Sequence, residues 1–258
     1  MSRVRMVEVS HMKHVQIAGM LASLALLFAA RGYAGESPND WPSPIHDNVV
    51  LSKVMVDRLE VRDTDAGNLA YWEGQAWIGG DINRLWLKSE GGVLKGHTEE
   101  ADLEALYSRA LTAFWDVQAG VRHDFRTGDK PAREWAAVGL KGLAPYRFDV
   151  DATAYVGTAG RTAARVKAEY EVLLTQRLIL MPELEFNAYG KNDPARGLGS
   201  GLSNVDLALR LRYEIRREIA PYVGVVWSRK FGGTADLARQ SAEAVQDTQV
   251  VAGLRVWW

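Results

Sequence analysis

Residues 162–174 read TAARVKAEYEVLL, and apolar and polar side chains alternate along them. The even positions carry Ala, Val, Ala, Tyr, Val and Leu, whereas the odd positions from 165 to 171 carry Arg, Lys, Glu and Glu. Because successive side chains of a β-strand point to opposite faces, this period of two predicts a strand with one apolar and one charged face. The same alternation occurs in residues 113–121, 146–156 and 205–213, and no convincing amphipathic helix is expected after residue 50.

The composition of the 258-residue chain limits the classes of protein to which it can belong. There is no Cys, which excludes disulfides and thiolate metal sites, so a metal would need His, Met, carboxylate or backbone oxygen. The formal net charge of -1 gives no sign of nucleic-acid binding. Twenty-four Gly against 8 Pro is compatible with many short strands and turns.

One apolar run, residues 15–30, lies close to the N-terminus. Basic residues precede it, and the small residues Gly32 and Ala34 follow it around a plausible cleavage point. These features predict a secretory signal peptide over residues 1–34. The alternative is an N-terminal membrane anchor, which the shortness of the run disfavours.

An exported chain with this alternation is either a soluble sandwich or a membrane barrel. The alternating segments are long enough to cross a bilayer as tilted strands, which need about 9–11 residues. The aromatic last residue, Trp258, resembles the assembly signal of Gram-negative outer-membrane barrels. These features predict an all-β, transmembrane antiparallel β-barrel in the cell outer membrane. Aromatic residues near the segment ends suit an interfacial girdle, and they are Trp72, Trp77, Trp86, Trp135, Tyr146, Tyr189, Tyr222 and Trp227.

The spacing of the segments predicts the topology. Twelve candidate strands are joined by links that alternate in length, and bacterial barrels place short turns in the periplasm and long loops outside. We therefore predict a closed up-and-down barrel of about 12 strands over residues 50–258, after a short periplasmic lead at 35–49. Ten strands is the alternative, if the first pair is not in the wall. The long links are expected at residues 63–68, 90–97, 124–132, 190–202 and 232–246, and 158–161 is a tight exception.

The charged faces of the strands are expected to line the lumen. A small barrel cannot leave such side chains unpaired without cost, so they must pair with one another or with water. One interpretation is a salt-bridged plug that stabilises the barrel, and the other is a polar path or a cation site. Examples of the predicted inward residues are Asp102, Glu104, Arg122, Arg165, Lys167, Glu183, Asp206 and Arg210.

Several strings are long enough to resemble a known family. They include WIGGDINRLWLKSEG at residues 77–91, YSRA at 107–110, GVRHD at 120–124, GLAPY at 142–146 and YEIRRE at 213–218. The chain resembles the copper-resistance outer-membrane protein B family from about residue 46 to the C-terminus. The resemblance implies an outer-membrane β-barrel of copper homeostasis and resistance, which binds copper ions and passes them across the outer membrane.

The lead departs from the family pattern. Members often carry a Met- and His-rich segment ahead of the barrel, whereas residues 35–49 hold one His and no Met. Either copper binds to ligands in the barrel, or copper capture belongs to a partner. The expected partners are outer-membrane lipid and a periplasmic multicopper oxidase or copper chaperone, with no nucleic acid.

A copper ion site is expected at the outer mouth of the barrel. His123 ends the fifth candidate strand beside Asp124, and Asp116 has the same inward parity as Asp124. Imidazole and carboxylate donors suit Cu(II), so these three residues are the first predicted metal ligands. His46 and Asp47 in the lead are the second candidate pair. For each pair, the plain alternative is a hydrogen bond at the rim or a solvated side chain.

Two other functions deserve comparison with copper binding. A hydrolase needs Ser, His and an orienting acid together, but there is no Gly-x-Ser-x-Gly motif, and Ser108 and His123 are predicted at opposite ends of neighbouring strands. We therefore expect no enzyme. A small non-specific or purely structural barrel or porin is the alternative function, although large charged side chains would leave little open lumen.

Overall fold

The computed structural model describes residues 49–258, which form one antiparallel sheet and one α-helix. β8 and β9 are two segments of one wall strand, because both pair with β10, so the wall has twelve strands. No helix in this part of the chain is long and apolar enough to cross a membrane. The elements are β1 (Leu51–Thr64), β2 (Gly67–Gly79), β3 (Asn83–Leu94), β4 (His97–Ala110), β5 (Trp115–Asp124), β6 (Arg133–Ala144), β7 (Phe148–Gly157), β8 (Thr162–Glu169), β9 (Val172–Leu173), β10 (Leu178–Tyr189), β11 (Gly201–Tyr213), β12 (Ile219–Lys230), α1 (Gly232–Gln240) and β13 (Gln246–Trp257).

The sheet closes on itself because its first and last strands pair. β1 runs antiparallel to β13, from Met55 opposite Trp257 to Asp63 opposite Val250. Closure removes the unpaired strand edges that a membrane could not solvate. The predicted closed barrel of twelve antiparallel strands is therefore confirmed. The ten-strand alternative is wrong, because β1 and β2 belong to the wall.

The alternation sorts side chains between the lumen and the outer face of the wall. Val121 and Val223 are 61% and 57% exposed on the outer face, whereas Gln118 is 1% exposed on the lumen side. Glu104 and Arg210 are likewise buried. The predicted assignment of apolar residues to the outer face and charged residues to the lumen is confirmed on these strands.

The two ends of the barrel carry different links. One end, here called the short-turn end, has both termini of the barrel and the links 80–82, 111–114, 145–147, 174–177 and 214–218. The other, the long-loop end, carries the links 125–132, 190–200 and 231–245. The prediction of long links at 63–68 and 90–97 is wrong. The flanking strands continue into both segments and leave turns of two residues. Lys95 and Gly96 both have positive φ, which suits the tight hairpin turns that match strand twist.

The helix α1 was not expected from the sequence. Thr234 at its start accepts a hydrogen bond from the Gly199 amide at 2.8 Å and lies 2.9 Å from the Ser203 hydroxyl. A Cβ on Gly199 would lie 2.2 Å from the backbone of Gly233, so this crossing requires glycine. A helix this short is marginal alone. We infer that contacts with the 190–200 loop and β11 decide its formation.

The expected aromatic girdle is only partly present. Trp77, Trp86, Trp135, Tyr189 and Tyr222 have the lumen parity of their strands and lie inside the barrel, so the prediction was wrong for them. Trp and Tyr can fill a lumen, and two of them find carboxylate partners there, since Trp135 donates to Asp124 and Tyr222 donates to Glu60.

Exchanging outward residues of β12 for Arg tests the membrane-facing surface. Val225→Arg, in the middle of the strand, should cost about 2–4 kcal/mol, because a guanidinium on the lipid face at mid-membrane is poorly solvated. Ile219→Arg, on the same face at the end of the strand, should cost about 0–1 kcal/mol. Equilibrium unfolding in lipid vesicles measures both losses, and equal losses would contradict the assignment.

Candidate functional site

The lumen contains a cavity of about 310 Å³ that extends from the short-turn end towards the middle of the barrel. Ten acidic and nine basic side chains line it, so its formal charge is nearly balanced. Pairing is expected in such an interior, because an unpaired charge away from bulk water is costly.

A network centred on Arg58 and Glu73 bridges the lumen. A register irregularity between Val56 and Arg58 places both Asp57 and Arg58 on the lumen side, where they line the cavity. Arg58 Nη1 lies 3.0 Å from Glu73 Oε2, and Arg58 Nη2 pairs with Glu183 on β10. Lys167 Nζ on β8 lies 2.5 Å from Glu73 Oε1. Because β2 and β8 lie six strands apart in a twelve-strand wall, this last contact joins opposite walls.

A second cluster surrounds Glu60. Its carboxylate accepts hydrogen bonds from Arg210 Nε and Nη2, both at 3.2 Å, and from Arg62 Nε at 2.7 Å. The Tyr222 hydroxyl donates to the same carboxylate at 2.9 Å. Arg210 also lies 3.6 Å from Glu183, which joins this cluster to the Arg58 network.

The lumen narrows towards the long-loop end around Arg122. Its guanidinium lies 2.6 Å from Asp124 and 2.9 Å from Asp102. Trp135 Nε1 donates to Asp124 at 2.9 Å, and these residues line a second cavity of about 10 Å³. That volume has room for about one water molecule. This second cavity is therefore too small to hold a hydrated ion.

Two thioethers line the larger cavity, Met55 on β1 and Met181 on β10. Each sulfur contacts a guanidinium, at 3.5 Å between Met55 Sδ and Arg255 Nη2 and at 3.1 Å between Met181 Sδ and Arg212 Nη1. Glu171 pairs with both arginines, at 2.9 Å to Arg212 and 3.6 Å to Arg255. The two sulfurs are thus connected through one Arg–Glu–Arg chain.

The structure does not bring His123, Asp124 and Asp116 into one site. Asp124 points into the lumen and is occupied by Arg122 and Trp135. His123 lies on the opposite face of β5, because adjacent residues of a strand alternate, and its Nδ1 is 3.8 Å from Glu134. Asp116 is near the short-turn end of β5. The prediction that these three residues form one metal site is therefore wrong, because they lie on different faces and at different ends of β5.

The remaining metal candidates are separate from the lumen. His46 and Asp47 lie outside the described residues. His97 is exposed at the start of β4. Within residues 49–258, no three or more His, Asp or Glu side chains are grouped closely enough to hold a metal ion.

Sequence reasoning missed the lumen residues of β1 to β3. Glu73, Lys88 and Glu90 follow a period of two with Trp77 and Trp86, but these tryptophans were assigned to the membrane interface. Because the tryptophans were placed outside, the charged residues on the same face were not assigned to the lumen. Met55 and Arg58 could not be placed together, because the irregularity after Val56 reverses the alternation within β1.

Comparison with known proteins adds a family to this geometry. The family model described as copper resistance protein B precursor (CopB) matches residues 50–258. The chain belongs to the copper resistance protein B family. A copper resistance protein B homolog of Pseudomonas syringae pv. tomato (strain ATCC BAA-871 / DC3000) is 51% identical over 214 residues, covering 83% of this chain and 72% of that protein. Copper resistance protein B of Escherichia coli is 47% identical with the same coverage.

A solved structure agrees with the barrel. The NanC porin in a rhombohedral crystal form superposes on this copper resistance protein B family member with a TM-score of 0.53 and 12% identity. The match covers 79% of this chain and 98% of the porin chain. At this identity, the likeness extends to the fold alone.

Removing the charge of Arg58 tests the importance of the lumen network. Arg58→Met should lower the free energy of unfolding by about 3 kcal/mol, because Glu73 and Glu183 each lose a buried partner. Arg239→Met, which breaks an exposed pair with Asp236 on α1, should cost about 0–1 kcal/mol. Urea unfolding in vesicles measures both values. A loss at Arg58 no larger than at Arg239 would contradict a stabilising network.

Proposed function

We propose that this protein is a barrel of the outer membrane that binds copper ions weakly and passes them through its lumen. The short-turn end would face the periplasm, as in bacterial barrels. Family membership supports copper as the cargo. The observation that carries the route is that Met55 and Met181, both thioethers of the described residues, line one lumen cavity.

The donor chemistry favours Cu(I) as the ion in the lumen. Thioethers are soft donors that select Cu(I), and the chain has no thiolate to compete with them. The Cu(II) expected from the sequence depends on imidazole, and His123 lies on the outer face of the wall with one acidic neighbour, Glu134.

The guanidinium beside each sulfur favours weak binding. A cation that approaches Met55 or Met181 also meets the positive charge of Arg255 or Arg212, which opposes tight binding at the sulfur. Conduction needs sites that an ion can both enter and leave. Two weak sulfur donors in a nearly neutral cavity suit the passage of copper ions better than their storage.

The other readings have less support. A non-specific porin would need a continuous water path, and the ion-paired side chains around Arg122 leave a cavity of only about 10 Å³ beside Trp135. A hydrolase is also disfavoured, because Ser108 is buried in the lumen and bonded to Asp116 while His123 is on the other face. We further propose that a periplasmic multicopper oxidase or copper chaperone exchanges copper with the protein at the short-turn end.

Copper flux into vesicles tests the route. In proteoliposomes that enclose a Cu(I) chelator, the double variant Met55→Leu, Met181→Leu should reduce the initial rate by about tenfold or more, the scale of removing a group from a metal site. Leu keeps the volume and removes the sulfur. Ile179→Leu, a lumen-facing change two residues from Met181, is the matched control and should leave the rate unchanged.

Two outcomes would contradict this route. One is an unchanged rate in the double variant. The other is a loss of copper binding in His123→Ala or His46→Ala while the Met variants behave as the native chain, which would move the site to the outer face or to the lead.

A further inference from the structure

A patch of oxygen-bearing side chains lies on the lumen face of β11, β12 and β13, apart from the thioether cavity. Asp206 is directly opposite Ser228, and Ser228 is directly opposite Asp247, so the three form one row across three strands. Gln249 lies two residues beyond Asp247 on the same face, and its Nε2 donates to Asp247 Oδ2 at 2.9 Å. Ser228 donates to Asp206.

The two carboxylates of this patch have no cationic partner. Among residues 49–258, no Lys or Arg nitrogen lies within 4.0 Å of Asp206 or Asp247, unlike the carboxylates of the Arg58 and Arg122 clusters. Lys230, two residues from Ser228, is occupied by Glu243 at 2.8 Å. The hydrogen bond from Lys230 holds the pKa of Glu243 below its usual range, so this pair persists at neutral pH.

Two acceptors in the patch are buried and unsatisfied. Gln249 is only 9% exposed, and its Oε1 has no hydrogen-bond partner. Asp247 Oδ1 is also buried without a partner. Leaving such an acceptor unpaired costs about 1–3 kcal/mol, and more when it is charged. Because the amide of Gln249 contacts the Asp247 carboxylate, both orphaned oxygens belong to the same small region.

We propose that Asp206, Ser228, Asp247 and Gln249 form a Ca²⁺ site. Carboxylate, amide and hydroxyl oxygens are the donors of hard cations, and Ca²⁺ accepts a mixed and irregular set of them more readily than Mg²⁺ does. The patch has no sulfur or imidazole, so its chemistry excludes the soft ion of the proposed copper route. Ca²⁺ neutralises the two carboxylates and supplies the partner that both orphaned oxygens lack.

Ca²⁺ holds oxygens at about 2.3–2.6 Å, closer than the hydrogen bonds of about 2.7–2.8 Å that a water would make. Bound Ca²⁺ would join β11, β12 and β13 at the point where the link containing α1 leaves the wall. The site therefore stabilises the long-loop end of the barrel.

Calorimetric titration with CaCl₂ tests the site. The mature chain, refolded in zwitterionic detergent without lipopolysaccharide and treated with a chelator, should bind one Ca²⁺ with a dissociation constant of about 0.1–1 mM, the range of extracellular sites. Asp247→Asn should weaken binding by about tenfold or more, because the site loses a charged ligand. Asp236→Asn, on the exposed face of α1, is the control and should bind as the native chain does.

Thermal unfolding separates loss of the calcium site from misfolding of the variant, either of which would weaken binding. In chelator, Asp247→Asn should be at least as stable as the native chain, because one of two uncompensated carboxylates is gone. In calcium, only the native chain and Asp236→Asn should gain stability. Equal calcium binding in Asp247→Asn, no binding by the native chain, or Mg²⁺ binding as tight as Ca²⁺ would each overturn the assignment. None of these outcomes bears on copper flux, which uses other residues.

Discussion

The ion pairs of the Glu73 carboxylate are the interactions on which the rest of the lumen network depends. The Glu73 carboxylate forms one ion pair with Arg58 on the adjacent strand β1 and another with Lys167 on the opposite wall. A closed barrel forces charged side chains of facing strands into a space that holds little water, so each must find a partner or carry a desolvation cost. The Arg58 and Glu60 networks meet this constraint in the middle of the barrel, and the Arg122 cluster meets it at the long-loop end.

Much of the wall could be predicted from the sequence, because a period of two survives in single strands. The segment at 162–174 shows it directly: Arg165 and Lys167 were placed inside, and both pair across the lumen. The predictions that were wrong concern features that depend on contacts between distant parts of the chain. The irregularity in β1 reversed its alternation, and α1 forms through contacts with the 190–200 loop that no local pattern reveals.

The candidate site was harder to predict than the fold. His123 and Asp124 are neighbours in sequence, yet a strand sends them to opposite faces, so sequence proximity was misleading. Met55 and Met181 are 126 positions apart and share one cavity only because the barrel closes. Their arginine neighbours keep the lumen nearly neutral and place a positive charge beside each sulfur. In our account, ion pairing therefore stabilises the wall and also keeps copper binding weak.

The most direct test of this account is anomalous diffraction at the copper absorption edge from crystals soaked with Cu(I) under reducing conditions. The account predicts a copper peak inside the lumen cavity, within bonding distance of the Met55 or the Met181 sulfur. A peak found only beside His123 and Glu134 on the outer face, or no copper in the lumen at concentrations that support flux, would contradict it.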